Sequence, residues 1–229
     1  MSDYKKVFRR LAAYRKGRGI TQERVAEKIH ISQEQYSYLE NGISKMTDKD
    51  LRGFLELGWN IDYIITGEET FYGSENKVEE AFAGFKDEEG KEFAMKLCAE
   101  VMIIKAVRGR LWENHGGLKE KLELLSDMVD SWQDFSMCHH VRKRLKISQL
   151  VMAEKLGLGI KKYREIEREI KYPDAEMLLT LYDMSGYPPM LFLDFYDRRL
   201  LLLKLVWDVF GDKDKEEILD FIYYMKKIL

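Results

Sequence analysis

An internal repeat is the tightest constraint on how this chain can fold. The segment TQERVAEKIHIS beginning at Thr21 aligns without a gap on SQLVMAEKLGLG beginning at Ser148, a displacement of 127 residues. The same displacement sets Tyr14-Arg15-Lys16 on Val141-Arg142-Lys143, Ile20 on Ile147, Tyr36 on Tyr163, Leu39 on Ile166 and Glu40 on Glu167. Whatever local structure the first segment adopts, the second has the apolar positions to adopt as well.

That local structure is helical. Thr21 is an N-cap candidate, and Val25, Ala26 and Ile29 follow as an i, i+1, i+4 apolar stripe. A tight turn at His30-Ile31 leads to a second N-cap, Ser32, and Tyr36 and Leu39 carry the stripe on until Asn41-Gly42 ends the helix. The small Ala26 lets the two short helices cross closely. The rest of the chain agrees: its three prolines are Pro173, Pro188 and Pro189, so the first 172 residues contain no residue of the kind that breaks helices most strongly. The expected fold is all-α.

Charge alternates along the chain although the net is only -2. Residues 1–66 carry 12 Lys and Arg against 9 Asp and Glu, and residues 136–196 carry 10 against 8. Between them, residues 67–135 carry 9 against 16, and residues 197–229 balance at 7 against 7. The acidic middle is excluded from following a phosphate backbone, whereas the two basic ends could bind one by releasing its counterions.

The stretch YRKGRGITQERVAEKIHISQEQYSYLENG, followed by GWNIDYIITGEE, resembles the Cro/repressor-type, or Xre-type, helix-turn-helix family. The resemblance covers about residues 5–68 and returns, in weaker form, over 136–195. It implies binding of double-stranded DNA and a recognition helix from Ser32 to Asn41. It also implies that Gln22 contacts a phosphate, that Gln33, Glu34, Ser37 and Tyr38 face the major groove, and that Asn41 and Gly42 approach the backbone. Arg15 with Glu40, and Arg142 with Glu167, match a structural ion pair of the family. The second copy keeps the phosphate-contacting position as Gln149 and offers Lys161, Lys162 and Arg164 on its recognition helix; it is either a second DNA-contacting domain or a degenerate copy used for packing or for a ligand. It departs from the pattern where Gly159 replaces Ser32, Arg168-Glu169 replaces Asn41-Gly42, and Ile160 and Lys161 replace Gln33 and Glu34.

These readings divide the chain into a first helix-turn-helix domain (1–68), an acidic helical connector (69–135), a second, diverged helix-turn-helix domain (136–196) and an amphipathic helical tail (197–229). A further likeness links FKDEEGKEFAMKL at Phe85 and FGDKDKEEILDFI at Phe210, each placing an acidic cap before an amphipathic helix. In the connector, Leu118, Leu122, Leu125, Val129, Trp132 and Phe135 recur every three or four residues. This face either packs on the tail's stripe of Ile218, Phe221, Ile222 and Met225 or forms a homodimer seam. The dimer is the preferred expectation, since repressors of this kind read two-fold symmetric sites, although with two such domains in one chain a pseudo-symmetric monomer could span two half-sites by itself.

No phosphate-binding glycine loop and no helix with paired metal-binding histidines occurs, so no catalytic residue, cofactor or metal is expected. His139 and His140 are adjacent and diverge on a helix, which reads as a surface or groove-edge position; His30 and His115 read as solvated loop residues. Cys98 and Cys138 suit reduced thiols. The apolar run at Leu200, interrupted by Lys204 and Asp208, is too short to span a bilayer, and the N-terminus lacks a signal-peptide core. The expectation is a cytoplasmic DNA-binding regulator of repressor type. An antitoxin that autoregulates through the same domain is the alternative, with a peptide-sensing regulator behind it because the connector has no room for several helical repeats.

Overall fold

The computed structural model describes residues 4–70, 77–131 and 135–229. Among the described residues every regular element is helical, with 14 α-helices, two short 3-10 turns and no strand. The chain divides into two compact units, each made of two separate stretches: unit 1 is Met1–Tyr72 with Ser136–Phe195, and unit 2 is Gly73–Phe135 with Tyr196–Leu229.

Unit 1 opens with α1 (Lys5–Gly17), α2 (Gln22–Lys28), α3 (Gln33–Glu40), α4 (Asp48–Glu56) and α5 (Ile61–Thr66). Unit 2 follows with α6 (Lys77–Phe82), α7 (Glu88–Arg108) and α8 (Leu118–Asp130). Unit 1 resumes with α9 (Met137–Arg144), α10 (Gln149–Lys155), α11 (Ile160–Glu167), α12 (Ala175–Ser185) and a 3-10 turn (Pro189–Phe192). Unit 2 closes with α13 (Arg198–Trp207) and α14 (Asp212–Ile228).

Side-chain caps mark where α2 to α5 begin, whereas α1 and α11 start without one. Thr21 accepts the Arg24 N–H, Ser32 and Gln35 form a reciprocal capping box, Thr47 and Asp50 form another, and Asn60 accepts the Tyr63 N–H. The 127-residue displacement carries the starts of α2, α3 and α4 onto those of α10, α11 and α12. It also carries three left-handed backbone positions onto three others: Gly19 (φ 65°) onto Lys146 (55°), His30 (59°) onto Gly157 (66°), and Gly42 (70°) onto Glu169 (59°). At each pair one side chain accepts a conformation that costs a non-glycine residue roughly 1–2 kcal/mol. Both stretches therefore keep the turn geometry even where the glycine is lost.

Val7, Leu11, Val25, Ala26, Tyr36, Leu39, Leu51, Phe54 and Trp59 form the core of the first stretch, with Phe54 stacked on Trp59 at 5.2 Å. The two stretches of unit 1 then meet along α5, which packs on the 3-10 turn and on α12. Ile61, Ile64 and Ile65 on one side and Met190, Leu191 and Phe192 on the other are all buried. Within this seam Met190 N–H donates to Asp62 Oδ1 at 2.9 Å; Ala175 N–H donates to Met46 O at 3.0 Å, and Lys45 pairs with Glu176 at 2.9 Å at its exposed border. Arg52 pairs with Asp194 at 3.0 Å and lies over the Phe195 ring.

In unit 2 the apolar face of α8 is covered by α7 and α13. Leu118, Leu122, Leu125 and Val129 are buried there, while α14, with Ile218, Ile222 and Met225 buried, lies on α7 and α6. The tail's stripe is thus satisfied, though not by the partner expected for it. Helix α8 ends at Asp130, so Phe135 lies beyond it, and Trp132 lies outside the described residues. The acidic caps also differ: Asp87 accepts the Gly90 N–H at 2.7 Å to start α7, but α14 starts from Gly211 with no side-chain cap, leaving Asp212 inside the first turn. On α13, Lys204 is buried to 9% exposure and reaches Glu79 at 3.3 Å, so the apolar run at Leu200 is a core helix of unit 2. No helix among the described residues is long and apolar enough to cross a membrane.

Candidate DNA interface

Helices α2 and α3 cross at Ala26, which is 1% exposed, with Val25, Tyr36 and Leu39 buried beside it. Behind them α4 approaches closely because position 53 is glycine: a Cβ there would lie 2.8 Å from Ile29 Cβ. Gly42 ends α3 against the ring of Phe8. Arg10 closes the arrangement from α1, donating from Nε to the Ile64 carbonyl at 2.8 Å and from Nη2 to that of Ile65.

The expected ion pair is formed. Arg15 donates to both oxygens of Glu40, Nε at 2.7 Å and Nη2 at 2.8 Å, and Nη1 reaches the Ile20 carbonyl at 2.6 Å. Burial pushes the Glu40 carboxyl up, but the hydrogen bonds and charge of Arg15 outweigh it, so the carboxyl is held below its ordinary range. The pair ties the end of α1 and the loop before α2 to the last turn of α3. In the second stretch Arg142 Nε donates to Glu167 Oε1 at 2.5 Å, and Tyr163 Oη donates to the same oxygen at 3.1 Å.

The glutamine that opens each first helix is drawn into this pair. Gln149 donates to Glu167 while accepting from Arg164 Nε at 3.1 Å, and Gln22 lies beside Glu40 and helps to hold its carboxyl down. Both side chains are half-buried. The expectation that Gln22 and Gln149 contact phosphate is thus joined by a structural use the sequence did not suggest, and Arg164 is tied to its neighbour.

Helix α3 leaves Gln33, Glu34 and Tyr38 exposed in one patch, with Ser37 half-buried between them. Tyr38 Oη donates to Glu34 at 2.7 Å, which braces both side chains one helical turn apart. The Ser32 hydroxyl accepts the Gln35 N–H in the capping box, and Asn41 Nδ2 folds back onto the Ser37 carbonyl at 2.8 Å. Ser32, Asn41 and Gly42 are exposed, so the expected backbone-facing edge is open. On α11, Lys161 and Lys162 are exposed.

A family model described as helix-turn-helix matches residues 11–56 of this arrangement. Residues 11–56 form a helix-turn-helix domain. The match spans α2, α3 and α4 with most of α1. No curated protein and no solved structure matches the chain.

Around the helix-turn-helix domain, two side chains differ from expectation or escaped it. His140 is buried at 6% exposure with its ring against Tyr187, because Met137, His140 and Val141 share the inward face of α9. His139 is exposed, within 3.3 Å of Arg142 Nη2. Asp62, 1% exposed in the first turn of α5, carried no sequence signal beyond that of an ordinary helix-start acid.

Proposed function

We propose that this protein is a sequence-specific, DNA-binding transcriptional regulator of the Cro/repressor type. Residues 1–68 are the reading head, residues 136–196 a second, diverged head of the same type, and residues 69–135 and 197–229 the accompanying helical parts. The observation that carries this reading is the exposed patch of Gln33, Glu34 and Tyr38 on α3, held on a buried Arg15–Glu40 pair within a helix-turn-helix domain.

In this reading α3 enters the major groove. Gln33 pairs with an adenine edge and Glu34 accepts from a cytosine amine, a geometry that Tyr38 steadies. Asn41, Gly42 and the start of α2 meet the flanking phosphates, and Gln22, half-buried beside Glu40, has two amide hydrogens to offer a phosphate. Unit 1 carries 22 Lys and Arg against 19 Asp and Glu, while unit 2 carries 16 against 21. The charge balance supports phosphate contact through unit 1. The helical face that suggested a homodimer seam is covered inside unit 2, so it gives no support to a dimer there.

The test is a Gln33→Ala, Glu34→Ala double variant, titrated against a duplex footprinted on the protein's own promoter. Each bidentate contact discriminates by about 1–3 kcal/mol, so specific affinity should fall by roughly tenfold or more while binding to unrelated DNA stays constant. Unchanged affinity and specificity would remove α3 from the groove and end this reading.

A further inference from the structure

We infer that unit 1 is a pair of DNA-reading heads built into one chain, and that a single molecule recognises a non-palindromic duplex site through two dissimilar half-sites. This rests on the DNA-binding function proposed above and goes beyond it in the number of chains per site and the symmetry of that site.

Three observations carry it. The first is that the two stretches of unit 1 share helix starts and left-handed turn positions at one constant displacement, so each presents a second helix of its two-helix pair, α3 or α11, on the same local scaffold. Their ion pairs, Arg15–Glu40 and Arg142–Glu167, repeat as well.

The second is that the heads are already joined. The seam of α5 with the 3-10 turn and α12 buries Ile61, Ile64 and Ile65 with Met190, Leu191 and Phe192. The Met190-to-Asp62 hydrogen bond lies within it, and the Ala175-to-Met46 hydrogen bond and the Lys45–Glu176 and Arg52–Asp194 pairs border it. Two separate repressor subunits must associate before they can read two half-sites; here the association is intramolecular, and its effective concentration does not depend on how much protein is present.

The third is that the two helices do not carry the same chemistry. At the constant displacement Gln33 corresponds to Ile160, Glu34 to Lys161, Ser37 to Arg164 and Tyr38 to Glu165. Glu34 accepts hydrogen bonds where Lys161 donates them, which sets a cytosine amine against a guanine O6 and N7. Tyr38 braces Glu34, whereas Glu165 pairs with Lys171 at 2.7 Å. An inverted repeat offers both heads the same bases and cannot satisfy both. A pair with unlike readers selects unlike half-sites.

The experiment is selection of duplexes from a random pool of roughly 30 bp, about three helical turns, by the intact chain, followed by native mass spectrometry of the selected complex. One chain per duplex is expected, on a site of two different base-pair blocks at fixed spacing. Inserting about 5 bp, half a turn, between the blocks should cost tenfold or more in affinity, since the seam fixes both heads at once. Lys161→Glu with Lys162→Glu should erase preference for one block alone, and Gln33→Ala with Glu34→Ala preference for the other. Two chains per duplex, an inverted-repeat site, or a one-block site indifferent to the lysine reversal would overturn the paired-head inference while leaving DNA binding by α3 intact. Failure to enrich any sequence would overturn both.

Discussion

At the scale of the residue, the glutamate that ends each second helix has a larger part than an ion-pair partner. Glu40 receives Arg15 in a two-pronged contact with Gln22 beside it; Glu167 receives Arg142, Gln149 and Tyr163. Removing one member of a buried pair leaves the other largely desolvated without its partner, at a cost of about 3–5 kcal/mol. Glu40→Ala should therefore lower the free energy of urea unfolding of the full chain by about that amount. A loss under 1 kcal/mol would mean that Arg15 finds another partner and that the pair is incidental. The pH dependence follows from direction. The folded Glu40 carboxyl lies below its unfolded value, so its stabilisation is complete above an unfolded pKa near 4.3 and is lost as the solution is acidified through the lower folded value. The pairing itself was legible because both arginine-to-glutamate separations are 25 residues and fall on repeated positions. The place of the glutamines was not, because a half-buried polar side chain at a helix start has the same sequence signature as a solvent-facing one.

Elements show a similar division. The boundaries of α2 and α3 were readable from their caps, since Thr21 and Ser32 act where they stand and Gly42 has the left-handed conformation that a helix stop needs. Gly53 was not readable. In isolation a glycine within α4 only weakens the helix, and alanine would be favoured by about 1 kcal/mol. The crossing of α4 over the end of α2 reverses that preference, because the added methyl would lie 2.8 and 2.9 Å from Ile29 Cβ and Cγ2. Gly53→Ala should destabilise the chain by about 1–3 kcal/mol in spite of its helix propensity, checked by thermal unfolding. A gain in melting temperature would show that α2 shifts freely and that the close approach is unimportant. Helix ends are written in local chemistry, whereas helix crossings depend on residues far apart in the chain. For the same reason the apolar face of α8 was evident in the sequence while its coverage by α7 and α13 was not: a stripe of leucines specifies that it must be buried, without specifying by what.

For the molecule as a whole, the sequence order of repeat, connector, repeat and tail becomes two interleaved units, and in unit 1 the joint between the repeats contains a buried acid. Asp62 accepts the Met190 N–H from inside the seam, with Tyr182 of α12 close enough to feel its charge. Burial raises the carboxyl to about 7, and the Met190 hydrogen bond recovers only part of that shift. Because the folded pKa exceeds the unfolded one of about 3.9, this group's contribution is fully present below pH 4. It declines as the unfolded chain ionises while the folded chain does not, and levels off above pH 7. Asp62→Asn keeps an oxygen to accept the Met190 N–H and removes the charge. The variant should gain about 1–3 kcal/mol at pH 8, with little change at pH 4. Urea unfolding of the two proteins across pH 4–8 would test this directly. Parallel stability curves would mean that the Asp62 carboxylate is solvated in the folded chain and that the seam is wetter than its 1% exposure implies. A widening gap that closes toward acid would identify the joint within unit 1 as dry and proton-linked, which is the rigidity that the paired-head inference requires.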